Sequence, residues 1–255
     1  MKLFVTSGLL SAAGIAHGFS VRTGGVSEGE FSSLNLSASV GDDEAAVREN
    51  HDRLRQSAGL SGQIVTAHQV HGDRVVDARL QEVFAPTGPQ PEGADALLAL
   101  AGGAVGVRVA DCVPVLIAAD GAAAAVHSGW RGTRLQIAAR AVRALQHAAG
   151  ADPAQMLAAI GPSIGRCCYE VSPELAASFR ALFGPEAADD PARNPTPHLD
   201  LRYCVERALS QAGVPAGRIE QVPGCTSCDT GAYFSHRRDK GRTGRHLAFI
   251  EPRGS

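Results

Sequence analysis

Three separated stretches carry side chains able to bind a metal or to drive nucleophilic chemistry. "AAVHSGWRGT" (residues 124–133) holds His127, two glycines, the chain's only tryptophan and an arginine. "VADCVPVLI" holds Asp111 and Cys112, and "HQVHG" holds His68 and His71. One thiolate with two imidazoles is a three-ligand zinc set, the catalytic pattern that leaves a fourth coordination position open. Such an ion brings the pKa of a bound water toward neutrality. Without a metal, Cys112 and His127 suit a nucleophile–base pair instead. With a fourth protein ligand, the same ion would be purely structural.

The elements that must bring these residues together are partly legible. Asp120-Gly121 stands between two apolar runs, the two-residue signal of a β-hairpin. Read literally, Ala119 pairs with Ala122 and His127 faces Pro114. Cys112 is then diagonal to His127 on the same face, roughly 7–8 Å away, a span one shared metal can bridge. A slip of one residue would put the two side chains on opposite faces. His68 and His71 are three residues apart, so along a strand they point to opposite sides and only one can ligate. Gly129 and Gly132 would let backbone approach a ligand. Thr133 and Gln136 form a capping box, and Arg131 just before it makes an anion site. Asp111 is either a general acid/base or a hydrogen-bonding orienter.

Other groups read as structural. Cys204 lies on an apolar helical stripe, Trp130 packs, and Arg237–Arg242 form a solvated charged face. Cys225 and Cys228 form a lone C-x-x-C, for which the adjacent Cys167-Cys168 is a poor second pair.

Further helices are expected over Asp43–Leu60, Thr133–Ala149, from a Ser172-Pro173 start, and along the stripe Leu201–Ala212. Strands are expected at Ile64–Ala67, Arg74–Asp77, Ala96–Leu100, Val113–Ala119, Ala122–His127, Leu157–Ile160, Ile219–Val222 and His246–Ile250. This intermixing predicts an α+β or α/β class with a mixed sheet. The 255 residues show no repeat, and the Pro/Gly-rich breaks at Ala85–Gly93 and Gly184–Pro197 do not separate blocks of different composition, so one domain is expected. A net charge of −2 gives no basic stripe for nucleic acid, and no apolar run reaches the roughly 18 residues of a membrane span. The N-terminus lacks the apolar core of a signal peptide. Six cysteines without a secretion signal read as reduced thiols, so a cytoplasmic protein is expected.

"HGFSVRTGGVS", "SLNLS", "QVHGDRVV", "ADALL", "VADCVPVLI", "AVHSGWRGT", "IGPSIGRCCYEV", "CTSC" and "FSHRRDKGRTGRHLAFI" follow one another from His17 to Ile250. Together they resemble the YfiH family of laccase-domain proteins, also called polyphenol oxidase-like or peptidoglycan editing factor proteins. The resemblance implies an α+β fold of four layers, α/β/β/α, with mixed β-sheets. It implies a zinc site at His71, Cys112 and His127, with copper the less favoured metal. It implies purine nucleoside phosphorylase activity on adenosine, inosine, guanosine and methylthioadenosine, together with adenosine deamination. Removal of misincorporated L-serine from peptidoglycan precursors and copper polyphenol oxidation are the alternatives; nine histidines without paired spacing argue against the latter. On the phosphorylase reading, Arg22 and Arg131 would hold phosphate, Asn35 would bond the base or ribose, and Asp111 would shuttle a proton. The typical "FSYRRD" has tyrosine where this chain has His236.

Overall fold

The computed structural model describes residues 2–60, 62–80, 93–100 and 102–253. In chain order the strands are β1 (Phe4–Val5), β2 (Ala16–Ser20), β3 (Ile64–Val65), β4 (Val75–Asp77), β5 (Ala96–Ala99), β6 (Ala104–Val109), β7 (Val113–Ala119), β8 (Ala122–Ser128), β9 (Leu157–Ile160), β10 (Ile219–Gln221) and β11 (His246–Glu251). The α-helices are α1 (Gly8–Ala12), α2 (Glu44–Ala58), α3 (Trp130–Arg134), α4 (Ile137–Ala149), α5 (Pro173–Phe183) and α6 (Leu201–Gln211). One sheet has the order β1-β2-β11-β6-β3 and the other β10-β9-β7-β8-β5-β4. Both mix parallel and antiparallel pairs.

The layering follows from strand parity. Successive side chains of a strand point to opposite faces, and β7 and β8 are apolar on both. Val113, Val115, Ile117, Ala122, Ala124 and Val126 pack with α4, α5 and α6. Leu116, Ala118, Ala123 and Ala125 instead meet Phe19, Val105, Val107, Ala248 and Ile250 of the facing sheet. That sheet's outer face, with Ala104, Leu247 and Phe249, is covered by Leu54 of α2 together with Leu34 and Leu36 from the segment that precedes it. The result is the four-layer α/β/β/α stack. Alanines dominate the sheet interface because small side chains let two sheets that are covered on both sides approach closely.

The Asp120-Gly121 hairpin has the expected register, with Ala119 opposite Ala122 and Pro114 opposite His127. His127 therefore shares a face with Leu116 and Ala125, the face turned to the other sheet. Between β6 and β7 the chain crosses from one sheet to the other through Ala110, Asp111 and Cys112. Both residues thus sit where the two sheets meet at one end.

Several expected elements differ. The helix expected over Thr133–Ala149 is broken into α3 and α4 at Gln136, which has φ 58°, and its capping box does not form. Thr133 lies within α3, which starts three residues earlier with Gly129 as its N-cap, and its Oγ1 is 2.8 Å from Ser128 Oγ. Residues 66–72 are not a strand. β1, β2 and β6 carry weak or interrupted apolar patterns and escape detection from sequence. The break at Ala85–Gly93 lies, except for Gly93, outside the described residues.

His246 in β11 is 4% exposed and its Nε2 accepts from the Phe234 N–H at 2.8 Å. Burial first, then the nearby Arg22 and Arg245 charges, push its imidazole down from 6.5 to about 3. The unfolded chain takes up a proton near 6.5 that the folded chain refuses until about 3. Stability is therefore fully present above 6.5 and drains away as pH falls between the two values. A His246→Gln protein, which cannot titrate there, should show a shallower loss of unfolding free energy over that window in urea titrations. Equal slopes for both proteins would refute this.

Candidate metal centre and its cavity

Asp95 organises the centre, and sequence reasoning missed it. It stands immediately before the apolar strand β5, fully buried. One carboxylate oxygen meets His127 Nδ1 at 2.7 Å and accepts from the His71 N–H at 3.0 Å. The other accepts from the N–H groups of Gly72 at 2.7 Å and Val70 at 3.2 Å. Its backbone carbonyl takes the His127 N–H at 2.7 Å. Burial would raise this carboxyl, but the His127 bond and the loop N–H groups outweigh it and hold it below the usual range. The signal in the sequence was an acid abutting a wholly apolar strand, a position that demands full hydrogen bonding.

Asp95 thereby does two things. It bonds His127 through Nδ1, leaving Nε2 toward Cys112, the orienting role that carboxylates play behind ligating histidines. It also clamps the 70–72 loop, in which His71 adopts φ 61°, a conformation a non-glycine residue rarely keeps without such support. His71 is thus placed by a clamped turn rather than by strand parity, although it is the histidine the motif indicated. The one ligand atom each of His71, Cys112 and His127 offers lies within 4.8 Å of the others. The two imidazole rings sit 4.8 Å apart, nearly perpendicular. Gly129 completes the packing: a Cβ there would come 3.0 Å from Cys112 Sγ and 3.2 Å from His71 Cδ2. The glycine makes room for the ligands themselves, not for a substrate.

Charge suits the set to a cation. Although burial opposes it, His127 and His71 hold the Cys112 thiol below its ordinary value. Burial also opposes protonation of His127, but Cys112 and Asp95 raise it. Each of the two groups favours the charged form of the other, and a metal at this point would find one sulfur and two nitrogen donors. This donor set fits zinc.

The centre lies in a cavity of about 620 Å³. Its lining includes all three ligands with Asp111, Tyr169, His68, His236, Arg108, Arg237 and Arg245. The three arginines were not singled out from sequence as site residues. Arg237 is exposed, as its assignment to a solvated face anticipated, and it also packs over the Tyr169 ring at 5.1 Å and donates to the Glu170 carbonyl. Arg245 donates through Nη1 to the Thr243 and Gly244 carbonyls. Burial lowers Arg108 to about 10, and its Nη2 donates to the Ala67 carbonyl.

The substrate contacts expected from sequence lie elsewhere. Arg22 spends its guanidinium on the Ser32 and Thr230 carbonyls and is not in the lining. Arg131 is exposed, stacked over Trp130, and also outside it. Asn35 is fully buried; its amide bonds Ser37 and Asp42, and its carbonyl oxygen accepts from the Arg245 N–H. It braces a lining residue without reaching the cavity. Asp111, at φ 90°, lines the cavity, but its oxygens accept from Thr226 Oγ1 and the Arg237 N–H, each at 2.6 Å.

The family model described as multi-copper polyphenol oxidoreductase laccase matches residues 16–253. A curated purine nucleoside phosphorylase of Geobacillus stearothermophilus is 38% identical over 93% of this chain and 90% of its own length. One from Streptomyces coelicolor is 38% identical over 93% and 95%. Among solved structures, YfiH of Bacillus licheniformis superposes with TM-score 0.85 at 32% identity, covering 94% of each chain. YlmD of Geobacillus stearothermophilus gives TM-score 0.85 at 32% identity over the whole of both chains.

Because Asp95 orients one ligand and clamps the loop of another, Asp95→Asn should weaken metal binding by about 10–100-fold. Competition against a chromophoric chelator measures this. Unchanged affinity would show that the ligands hold their geometry unaided.

Proposed function

This chain belongs to the YfiH family of laccase-domain proteins, and on that premise we propose that it is a zinc-dependent purine nucleoside phosphorylase. The observation that carries the reading is the cavity, which sets a two-histidine, one-cysteine metal centre beside Arg108, Arg237 and Arg245. Its volume is in the range of small-molecule sites. Three guanidinium groups suit an oxyanion substrate, because arginine offers paired donors matched to phosphate. The names of the curated relatives favour purine nucleosides.

In phosphorolysis a phosphate oxygen forms a bond to ribose C1′ while the C1′–N9 bond breaks. The purine leaves with the bonding electrons and takes up a proton; ribose 1-phosphate remains. Arg237 and Arg245 would hold the phosphate against C1′, with Arg108 adding positive charge. Asp111 anchors the Arg237 backbone, so it acts here as a positioning residue; shuttling a proton would require it to release one of its two donors. The exposed imidazoles His68 and His236 are the lining groups suited to protonate the leaving purine. Tyr169 supplies an aromatic edge for the base. His71, Cys112 and His127 would hold the metal, which when bound supplies Lewis acidity at that end of the cavity.

Adenosine deamination in the same cavity is a second reading. It is favoured by the three-ligand set, which leaves a coordination position for a reacting group. A multicopper oxidase needs several histidine-rich copper sets, and among the described residues one His/Cys cluster contains histidine.

Chromatography of adenosine incubated with the protein separates these readings, run with and without phosphate and chelator. Adenine formed only with phosphate, and lost on chelation, is expected. Inosine formed without phosphate would move the assignment to deamination, and unchanged adenosine with zinc-loaded protein would end the purine reading. Replacing Arg245 with alanine should raise the KM for phosphate about tenfold or more, as loss of a charge-assisted hydrogen bond does. An unaltered phosphate KM in both Arg245→Ala and Arg237→Ala would remove the arginines from phosphate binding.

A further inference from the structure

Away from the cavity centre, four cysteines meet on the surface. Cys167 and Cys168 sit in the 3-10 turn after β9, and Cys225 and Cys228 in the turn after β10. The sequence presented these as an isolated C-x-x-C and an unsuitable adjacent pair. The structure brings the four sulfurs within 4.8 Å of one another. Cys167 Sγ is 3.7 Å from Cys225 Sγ and 3.5 Å from Cys228 Sγ, and Cys168 Sγ is 3.3 Å from Cys228 Sγ.

These separations have a chemical meaning. A tetrahedral zinc tetrathiolate has Zn–S bonds of roughly 2.3 Å, so its sulfurs stand roughly 3.8 Å apart along each edge. A disulfide would draw one pair to roughly 2.05 Å. Here one sulfur approaches two others almost equally. The surroundings also suit a thiolate cluster. The Gly165 N–H donates to Cys225 Sγ at 3.2 Å. A side chain at Gly165 would intrude on this space, since its Cβ would lie 3.2 Å from Cys167 Sγ and 3.4 Å from Cys225 Sγ. Arg202, bonded to the Val222 and Gly224 carbonyls, places a positive charge beside Cys225.

We propose that Cys167, Cys168, Cys225 and Cys228 form a second, structural metal site, a tetrathiolate for zinc or a similar thiolate-seeking divalent ion. The site is separate from the His71–Cys112–His127 centre and does not depend on which reaction that centre performs. It clips together two turns about 60 residues apart in sequence. Both border the cavity. Ile164 and Tyr169, flanking Cys167-Cys168, line it, and Thr226, next to Cys225, bonds Asp111. Backbone bonds already join the turns, Ile164 N–H to Asp111 O and Thr226 N–H to Ser163 O. A metal would lock that wall, as soft divalent ions do in small cysteine-rich knuckles.

Metal content of the full-length protein tests this. Zinc-loaded, desalted protein should hold about two equivalents, and about one in either His71→Ala or a Cys225→Ser/Cys228→Ser double variant. Cobalt(II) titration of the unaltered protein should show the intense sulfur-to-cobalt absorption of a tetrathiolate, still present in His71→Ala. Should the double variant fold poorly, Cys228→His, which supplies another ligand, should keep both equivalents. Thermal unfolding of His71→Ala should still shift downward on chelation. Two equivalents in a folded double variant, or one in the unaltered protein and none in His71→Ala, would overturn the proposal. So would fewer than six free thiols in denatured, unreduced protein.

Discussion

The candidate centre depends on one buried carboxylate. Asp95 is completely removed from solvent, and such a charge survives only if it is bonded on all sides. It bonds to His127 Nδ1 and three loop N–H groups. Those bonds stabilise the carboxylate, and in return they restrict the ligands. His127 is fixed in orientation, and the 70–72 loop is held in a conformation that places His71 against it. Removing Asp95 would leave two ligands attached to the chain but not to each other.

The sheet architecture supplies the third ligand and the cavity. The chain leaves one sheet at Val109 and enters the other at Val113, and the crossing residues Asp111 and Cys112 lie at the mouth between the layers. The crossover turns Asp111, still buried, and Cys112, partly buried, into the cavity lining. The positive φ of Asp111 turns the chain sharply enough to do this. Its carboxylate then reaches Thr226 and Arg237, tying the crossover to the chain's last loops. The same loops bring in Arg237 and Arg245. The basic wall is thus assembled from residues far apart in sequence, braced by carbonyls and by Asn35.

Some of this was legible beforehand because it is local. The Asp120-Gly121 turn sets a two-residue hairpin, and its register follows from counting; hence Cys112 and His127 could be placed together from sequence alone. Helix α2 was legible from its acidic start, although it ends at Gly59 rather than running to Leu60, and α5 was legible from Ser172-Pro173. The failures are equally instructive. Thr133-x-x-Gln136 reads as a capping box, yet Thr133 lies within α3, its hydroxyl bonds Ser128, and the break falls at Gln136 in the left-handed region. Arg22, Arg131 and Asn35 have the right chemistry for phosphate and ribose, but backbone carbonyls, a tryptophan ring and a buried hydrogen-bond network occupy them. Cys167-Cys168 looked unsuitable beside Cys225-x-x-Cys228 because spacing rules count along one chain segment, whereas these four meet across two.

By itself, the sequence determined the short-range features: strand and helix types, the central hairpin register, and which residues have the chemistry to be ligands. Their physical basis lies in neighbours a few residues apart, through turn dihedrals, side-chain periodicity and caps. Only the tertiary structure decided which histidine was locked into place, which arginines face the cavity, and which cysteines meet. Those outcomes rest on a buried acid satisfying its hydrogen bonds and on two sheets meeting at a crossover. The partners involved stand from 23 to 210 residues apart in sequence, and no local pattern encodes that proximity.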